Sequence, residues 1–170
     1  MTPVARLRRV FTFPDPVNEV AVRVTAAGVA LLALTAIVLR RPEPLILLTY
    51  GFVARAAAGP RLSPLALLST RVITPRLEVP PRLVPGPPKR FAQTLGATVS
   101  SLTLLFYYAL SWHVVAFALA GVMVVLATLE AGLRLCVGCL IHGWLVRRQW
   151  VRSVECAECS DISLLVRAGR

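Results

Sequence analysis

The sequence predicts an all-α integral membrane protein with four transmembrane helices. Both termini face the cytoplasm, and a proline-rich cytoplasmic loop joins helices two and three. Three observations carry this fold class. The composition is 56% hydrophobic and only 16% charged, with a mean hydropathy of +0.71. Four stretches are apolar over lengths near or beyond the roughly 20 residues that cross a bilayer, although the second is short. The basic residues flank these stretches with a one-sided bias. At 170 residues the chain reads as one domain, 1–170.

Charge supplies the orientation. The net charge of +11 comes from 19 basic and 8 acidic residues, and all the basic residues but Lys89 are arginine. Arg6, Arg8 and Arg9 precede the first apolar stretch; Arg61, Arg71, Arg76, Arg82, Lys89 and Arg90 lie between the second and third; Arg134, Arg147, Arg148, Arg152, Arg167 and Arg170 follow or close the fourth. Only Arg40 and Arg41 occupy the first connection. This is the positive-inside pattern with both termini cytoplasmic, in a bacterial plasma (inner) membrane. A nucleic-acid partner is not expected, because no recognition helix or aromatic-interleaved basic strand accompanies the charge. The surroundings are membrane lipid.

Taken in order, the first helix covers residues 20–39, with Asp15 as its cap and Pro16 at its first position. It is too long for the apolar region of a signal peptide. The second covers residues 44–58 and needs little tilt or a thinned bilayer. Residues 60–90 hold eight of the thirteen prolines and read as extended and turning. Within them, 62–73 reads either as a short helix on the inner leaflet with Leu62, Leu65, Leu68 and Val72 turned down, or as a loop pinned by leucines. The third helix covers 91–110, where Gly96, Ala97, Ser100 and Ser101 permit close approach of a neighbour. The fourth runs 113–146, about 50 Å if unbroken against a core of about 30 Å. It therefore projects into the cytoplasm or bends at Gly132, Gly138 or Gly143. Trp112 suits the outer aromatic belt, and Trp144 and Trp150 the inner one.

Near the inner face five polar residues fall at similar depth: Arg23, Arg55, Gln93, Glu130 and Arg134. Ionisable groups at membrane depth are costly and are functional candidates. Glu130 and Arg134 are spaced to pair along one face. The cluster reads either as an ion-pair lock for the bundle or as the wall of a pocket around Cys136 and Cys139.

All four cysteines lie in two C-x-x-C pairs, Cys136 with Cys139 and Cys156 with Cys159. Three readings stand side by side. A relay would make Cys136 and Cys139 the reactive pair, exchanging electrons with Cys156 and Cys159 or with a partner. A four-cysteine zinc site fits the spacing, with His142 as a further metal or proton-sharing candidate. In the third reading the cysteines are small apolar residues of a non-catalytic scaffold or complex subunit. Cytoplasmic placement disfavours a permanent disulfide. Arginines nearby would lower a thiol pKa, whereas Glu155, Glu158 and Asp161 would raise that of the tail pair. No hydrolase triad, phosphate-binding glycine loop or catalytic carboxylate pair is present.

The blocks VITPRL (72–77), PPKRFAQTLG (87–96) and LCVGC (135–139) together resemble the bacterial membrane family known as domain of unknown function 4395. The resemblance covers about residues 14–146 and leaves 147–170 as a cytoplasmic tail with the second C-x-x-C. Its motif positions here are Arg90, Phe91, Gln93, Cys136, Gly138 and Cys139. An acidic residue that family members often carry before the second block is absent, with Pro85 and Gly86 in that place. The family has no settled activity. It implies, by association, a thioredoxin-like or sulfurtransferase partner and hence thiol or sulfur chemistry. The expectation is a membrane thiol-redox or sulfur-handling component acting through Cys136 and Cys139.

Overall fold

A computed structural model of the protein describes residues 13–150. These residues form an all-α fold with one two-residue ribbon, β1 (Val17–Asn18) paired antiparallel with β2 (Leu83–Val84). Four helices make the body: α1 (Glu19–Leu39), α2 (Glu43–Ala58), α4 (Gly86–Tyr108) and α5 (His113–Leu133). A short α3 (Pro64–Leu68) runs on through a π-helical turn (Ser69–Ile73) and a last α-turn (Thr74–Arg76). α6 (Val137–Arg147) closes the described chain.

The short connections 40–42 and 109–112 make their flanking helices antiparallel neighbours. The extensive pairings are α1 with α2 and α5, and α4 with α2 and α5. The four long helices thus close a ring, with α6 against α4 at one end. The starts of α1 and α4, the ends of α2 and α5, and all of α6 gather at that end, held together by the β1–β2 ribbon and by the Glu19 N–H to Arg82 carbonyl bond of 2.8 Å.

Two helices, α1 and α5, are long and apolar enough to cross a membrane, each with 21 residues. The 16 residues of α2 extend only about 24 Å, and Lys89 and Arg90 make the first turn of α4 polar. The packing inverts the usual size order. Apart from Leu45 and Leu48, the side chains sealed between helices are small (Ala33, Ala36, Ala58, Ala116, Ala120, Ser100 and Thr103), while Leu31, Val38, Leu105, Val114 and Val125 are at least half exposed. Small residues let backbones approach closely, which is how helices bind one another when their outer surface is already apolar.

Several expected boundaries move. α1 is capped by Asn18, whose side chain accepts the Val20 N–H at 3.0 Å. Asp15 crosses the structure and accepts the Gly86 N–H at 2.9 Å, at the start of α4. α4 begins five residues before the expected 91, because Pro87 and Pro88 occupy the first turn, where a missing N–H costs nothing. Residues 64–76 are helical rather than extended, and the face they bury is Ser63, Ala66 and Ser69. Leu62, Leu68 and Val72 are exposed on the outer surface, while Leu65 meets α1 at Gly28. The fourth helix does not continue to 146. It stops at Leu133, with Arg134 left-handed (φ 60°) and its N–H returning to the Leu129 carbonyl, the six-to-one bond of a Schellman ending, while the Leu135 N–H reaches the same carbonyl at 3.2 Å.

Candidate functional site

The break at 134–136 decides where the first cysteine pair sits. Cys136 is the N-cap residue of α6, and Cys139 falls at the third helical position. The pair therefore spans the first turn of a helix whose N–H groups have no side-chain cap. Unpaired N–H donors and the positive end of the helix dipole favour a thiolate at this place. Both cysteines are free, Cys136 buried and Cys139 half-buried. A hydrogen bond shared with the Cys139 side chain holds the Cys136 thiol below its ordinary value, against the opposing effects of burial and of Glu130. The same bond pushes the Cys139 thiol up, and burial adds to it. Of the pair, Cys136 is thus the thiol held lower and Cys139 the one held higher.

Glycine at 138 is what lets this turn lie against α4. A Cβ there would stand 2.6 Å from the Ala92 Cβ and 2.7 Å from its Cα, and the latter is backbone that cannot step aside. The blocks KRFAQ and CVGC therefore meet at Ala92 and Gly138. Phe91 carries the contact further, its ring 5.4 Å from that of His142. Arg90 donates to the Ala56 carbonyl at 3.1 Å, tying α4 to the end of α2. Gly96 permits a second close approach, since a Cβ there would strike the Phe52 ring at 2.3 Å.

The expected polar layer resolves into three separate pairings. Arg23 reaches the end of α5 and donates to the Ala131 carbonyl at 2.9 and 2.8 Å and to that of Gly132 at 3.4 Å. Arg55, only 5% exposed, donates to Gln93 Oε1 at 2.8 Å and Ser63 Oγ at 3.1 Å, and lies over the Phe52 ring at 4.5 Å. Glu130 meets Lys89 Nζ at 3.0 Å, not Arg134, which is exposed beyond the helix end. The i,i+4 expectation fails because α5 ends between the two residues. Lys89 is the residue that sequence reasoning misses. Its only signal in the sequence is that the chain's one lysine directly precedes the RFAQ block.

A cavity of about 260 Å³ joins these parts. Cys136, Glu130, Gln93 and Arg55 line it together with an apolar wall that includes Phe52, Val99, Met123 and Ile141. His142 is buried apart from this cavity, with its Nδ1 unpartnered. Among the described residues no three His, Cys, Asp or Glu side chains are grouped to hold a metal ion, so His142 does not join Cys136 and Cys139 as a ligand set. The second pair is a different case: Cys156 lies outside the described residues, and Cys159 lies outside them too. The four-cysteine zinc site and the internal relay, both of which need Cys156 and Cys159, therefore rest on the sequence spacing alone.

Fold and site together define a helical bundle with a dithiol at a helix start over an internal cavity. The chain belongs to the family described as Domain of unknown function (DUF4395), whose model matches residues 17–147. No curated protein and no solved structure matches the chain.

Proposed function

We propose that this is a four-span membrane protein of thiol or sulfur redox chemistry, with both termini cytoplasmic in the bacterial inner membrane, acting through Cys136 and Cys139. The observation that carries the reading is the position of the pair across the first, uncapped turn of α6, with one thiol lowered and the other raised. In the exchange, the Cys136 thiolate attacks a partner disulfide, forms a mixed disulfide and releases one partner thiolate. Cys139 then gives up its proton and attacks the Cys136 sulfur. The Cys136–Cys139 bond closes and the second partner thiol leaves, so the partner gains two electrons and two protons. A thioredoxin-like or sulfurtransferase protein is the fitting partner class.

The outer surface supports four spans rather than two. Leu47, Tyr50 and Val53 on α2 and Leu102, Leu105 and Tyr108 on α4 are exposed, continuing the apolar surface of α1 and α5. The bilayer thins around the short α2. Reporter fusions at the two termini check the orientation; an extracytoplasmic signal from either end would overturn it.

A second reading, a non-catalytic scaffold, is favoured by the three satisfied pairings of Arg23, Arg55 and Glu130, which lock neighbouring helices. Thiol trapping in native membranes, with zinc analysis of the purified chain, separates the readings. A Cys136–Cys139 disulfide that opens with a thioredoxin-like reductant supports redox work. One zinc per chain with protected thiols makes the cysteines structural, and four unreactive thiols without metal leave the scaffold.

A further inference from the structure

The dithiol needs a two-electron acceptor or donor, and the cavity beside it has a shape and chemistry that name one. It is bounded by all four long helices and by α6, and its lining is apolar except for Arg55, Gln93, Glu130, Cys136 and Thr25, whose hydroxyl is spent on the Ala21 carbonyl at 2.8 Å. Such a site suits a ligand with an apolar body and one polar, hydrogen-bond-accepting edge. Gln93 spends its Oε1 on Arg55, which leaves its amide N–H groups to donate. Arg55 has N–H groups beyond the two already used, and Glu130 is neutralised by Lys89 rather than presenting a bare charge to the ligand. At about 260 Å³ the space is just below that of a drug-sized site, room for one substituted ring and not for a long chain as well. The cavity offers a ligand's tail a way out beside Leu126 and Ile141, which line it and are 37% and 41% exposed.

Resting on the dithiol reading above, we propose that this cavity binds the ring of a lipid-soluble quinone, which takes up the electrons of Cys136 and Cys139. The Cys136 thiolate adds to a quinone carbon, forming a C–S bond and placing charge on a ring oxygen that Gln93 and Arg55 stabilise. Cys139 then attacks the Cys136 sulfur. The S–S bond forms, the C–S bond breaks, and its electron pair stays on the ring. The two thiol protons finish on the two ring oxygens, so two thiols and one quinone become one disulfide and one quinol. The quinone tail lies in the hydrocarbon beside Leu126 and Ile141.

The experiment uses full-length protein in lipid nanodiscs, reduced beforehand, with decylubiquinone as the probe and diamide as a second, soluble oxidant. Expected is one quinol formed per chain together with loss of the Cys136 and Cys139 thiols. Ala127→Leu, which fills the cavity wall, and Gln93→Glu, which keeps the acceptor for Arg55 but removes the amide donors, each lower the ratio of quinone-driven to diamide-driven oxidation at least tenfold. Oxidation by diamide without any quinol overturns the quinone assignment and leaves the dithiol reading standing. Failure of both oxidants to join the cysteines overturns both. Quinol formation with an unchanged ratio in both variants overturns the cavity as its site.

Discussion

The two ends of the bundle are built on opposite principles. At the end away from the cysteines, α1 and α2 and likewise α4 and α5 are joined by tight turns, and the interior is a zipper of Ala33, Ala36, Leu45, Leu48 and Ala120 with almost no exposure. Its rim is aromatic: Phe106 stacks on Trp112 at 5.9 Å, and Tyr107 packs on His113 at 4.6 Å and edge-on to Phe117 at 5.9 Å. Its one ion pair among the described residues, Arg41–Glu43 at 3.6 Å, stands on the surface. At the cysteine end the interior holds a buried arginine, a lysine–glutamate pair, two glycine close approaches and a cavity. The contrast teaches where each kind of stabilisation belongs. Close packing needs no polar group and holds the helices together. Buried polar groups are desolvated at a cost that packing alone would not require, and their concentration beside Cys136 is why that end is the candidate site.

Breaking the cysteine end first gives the largest effect. Cys136→Ser removes the nucleophile and is expected to abolish exchange with a thioredoxin-like disulfide, whereas Cys139→Ser stalls at the mixed disulfide, which non-reducing gel mobility detects. Equal residual exchange in the two variants would contradict the assigned roles. Gly138→Ala drives a methyl into the backbone at Ala92, and about 1–3 kcal/mol of stability should be lost in thermal or denaturant unfolding. Exchange should fall with it, because α6 must move away from α4. At the opposite end Ala120→Leu overpacks a fully buried position and costs a similar ~1–3 kcal/mol, but leaves the exchange rate per folded molecule unchanged. If it changes that rate, the two ends are not separable as argued.

Smaller effects sharpen the same contrast. Because Cys139 holds the Cys136 thiol below its ordinary value, Cys136 is a thiolate at pH values where a free thiol of pKa about 8.5 is protonated. Its alkylation by iodoacetamide should therefore rise at lower pH in the native chain than in Cys139→Ala, which removes the hydrogen bond. A midpoint that falls on that substitution would reverse the sign. Smallest of all, Arg41→Ala removes a pair whose side chains are 70% and 62% exposed, and should change stability by about 0.2–1 kcal/mol at most.

Much of the fold is legible in the chain itself. Runs of apolar residues fix the number of the long helices and, for all but the fourth, their approximate extent, because helix is the form that satisfies its own backbone within an apolar medium. The small residues Gly96 and Ser100 mark where α4 meets a neighbour, and Gln93 is legible as a polar side chain in need of a partner. The two motif blocks that meet at Ala92 and Gly138 are likewise visible as short blocks with cysteine, glycine and a polar amide.

Only the tertiary structure decides what those blocks do together. Composition alone lets the apolar run from 113 continue to 146; it ends at Leu133, where Arg23, more than a hundred residues earlier in the chain, caps the carbonyls of Ala131 and Gly132. That break makes Cys136 an N-cap instead of a mid-helix residue, and it parts Glu130 from Arg134. The choice of Lys89 over Arg134 follows from the same break. A sequence states how long a helix is able to be, through local propensity and hydropathy. Where it stops, and which side chain then faces an unpaired N–H or a buried carboxylate, depends on groups brought near by the closing of the ring of helices.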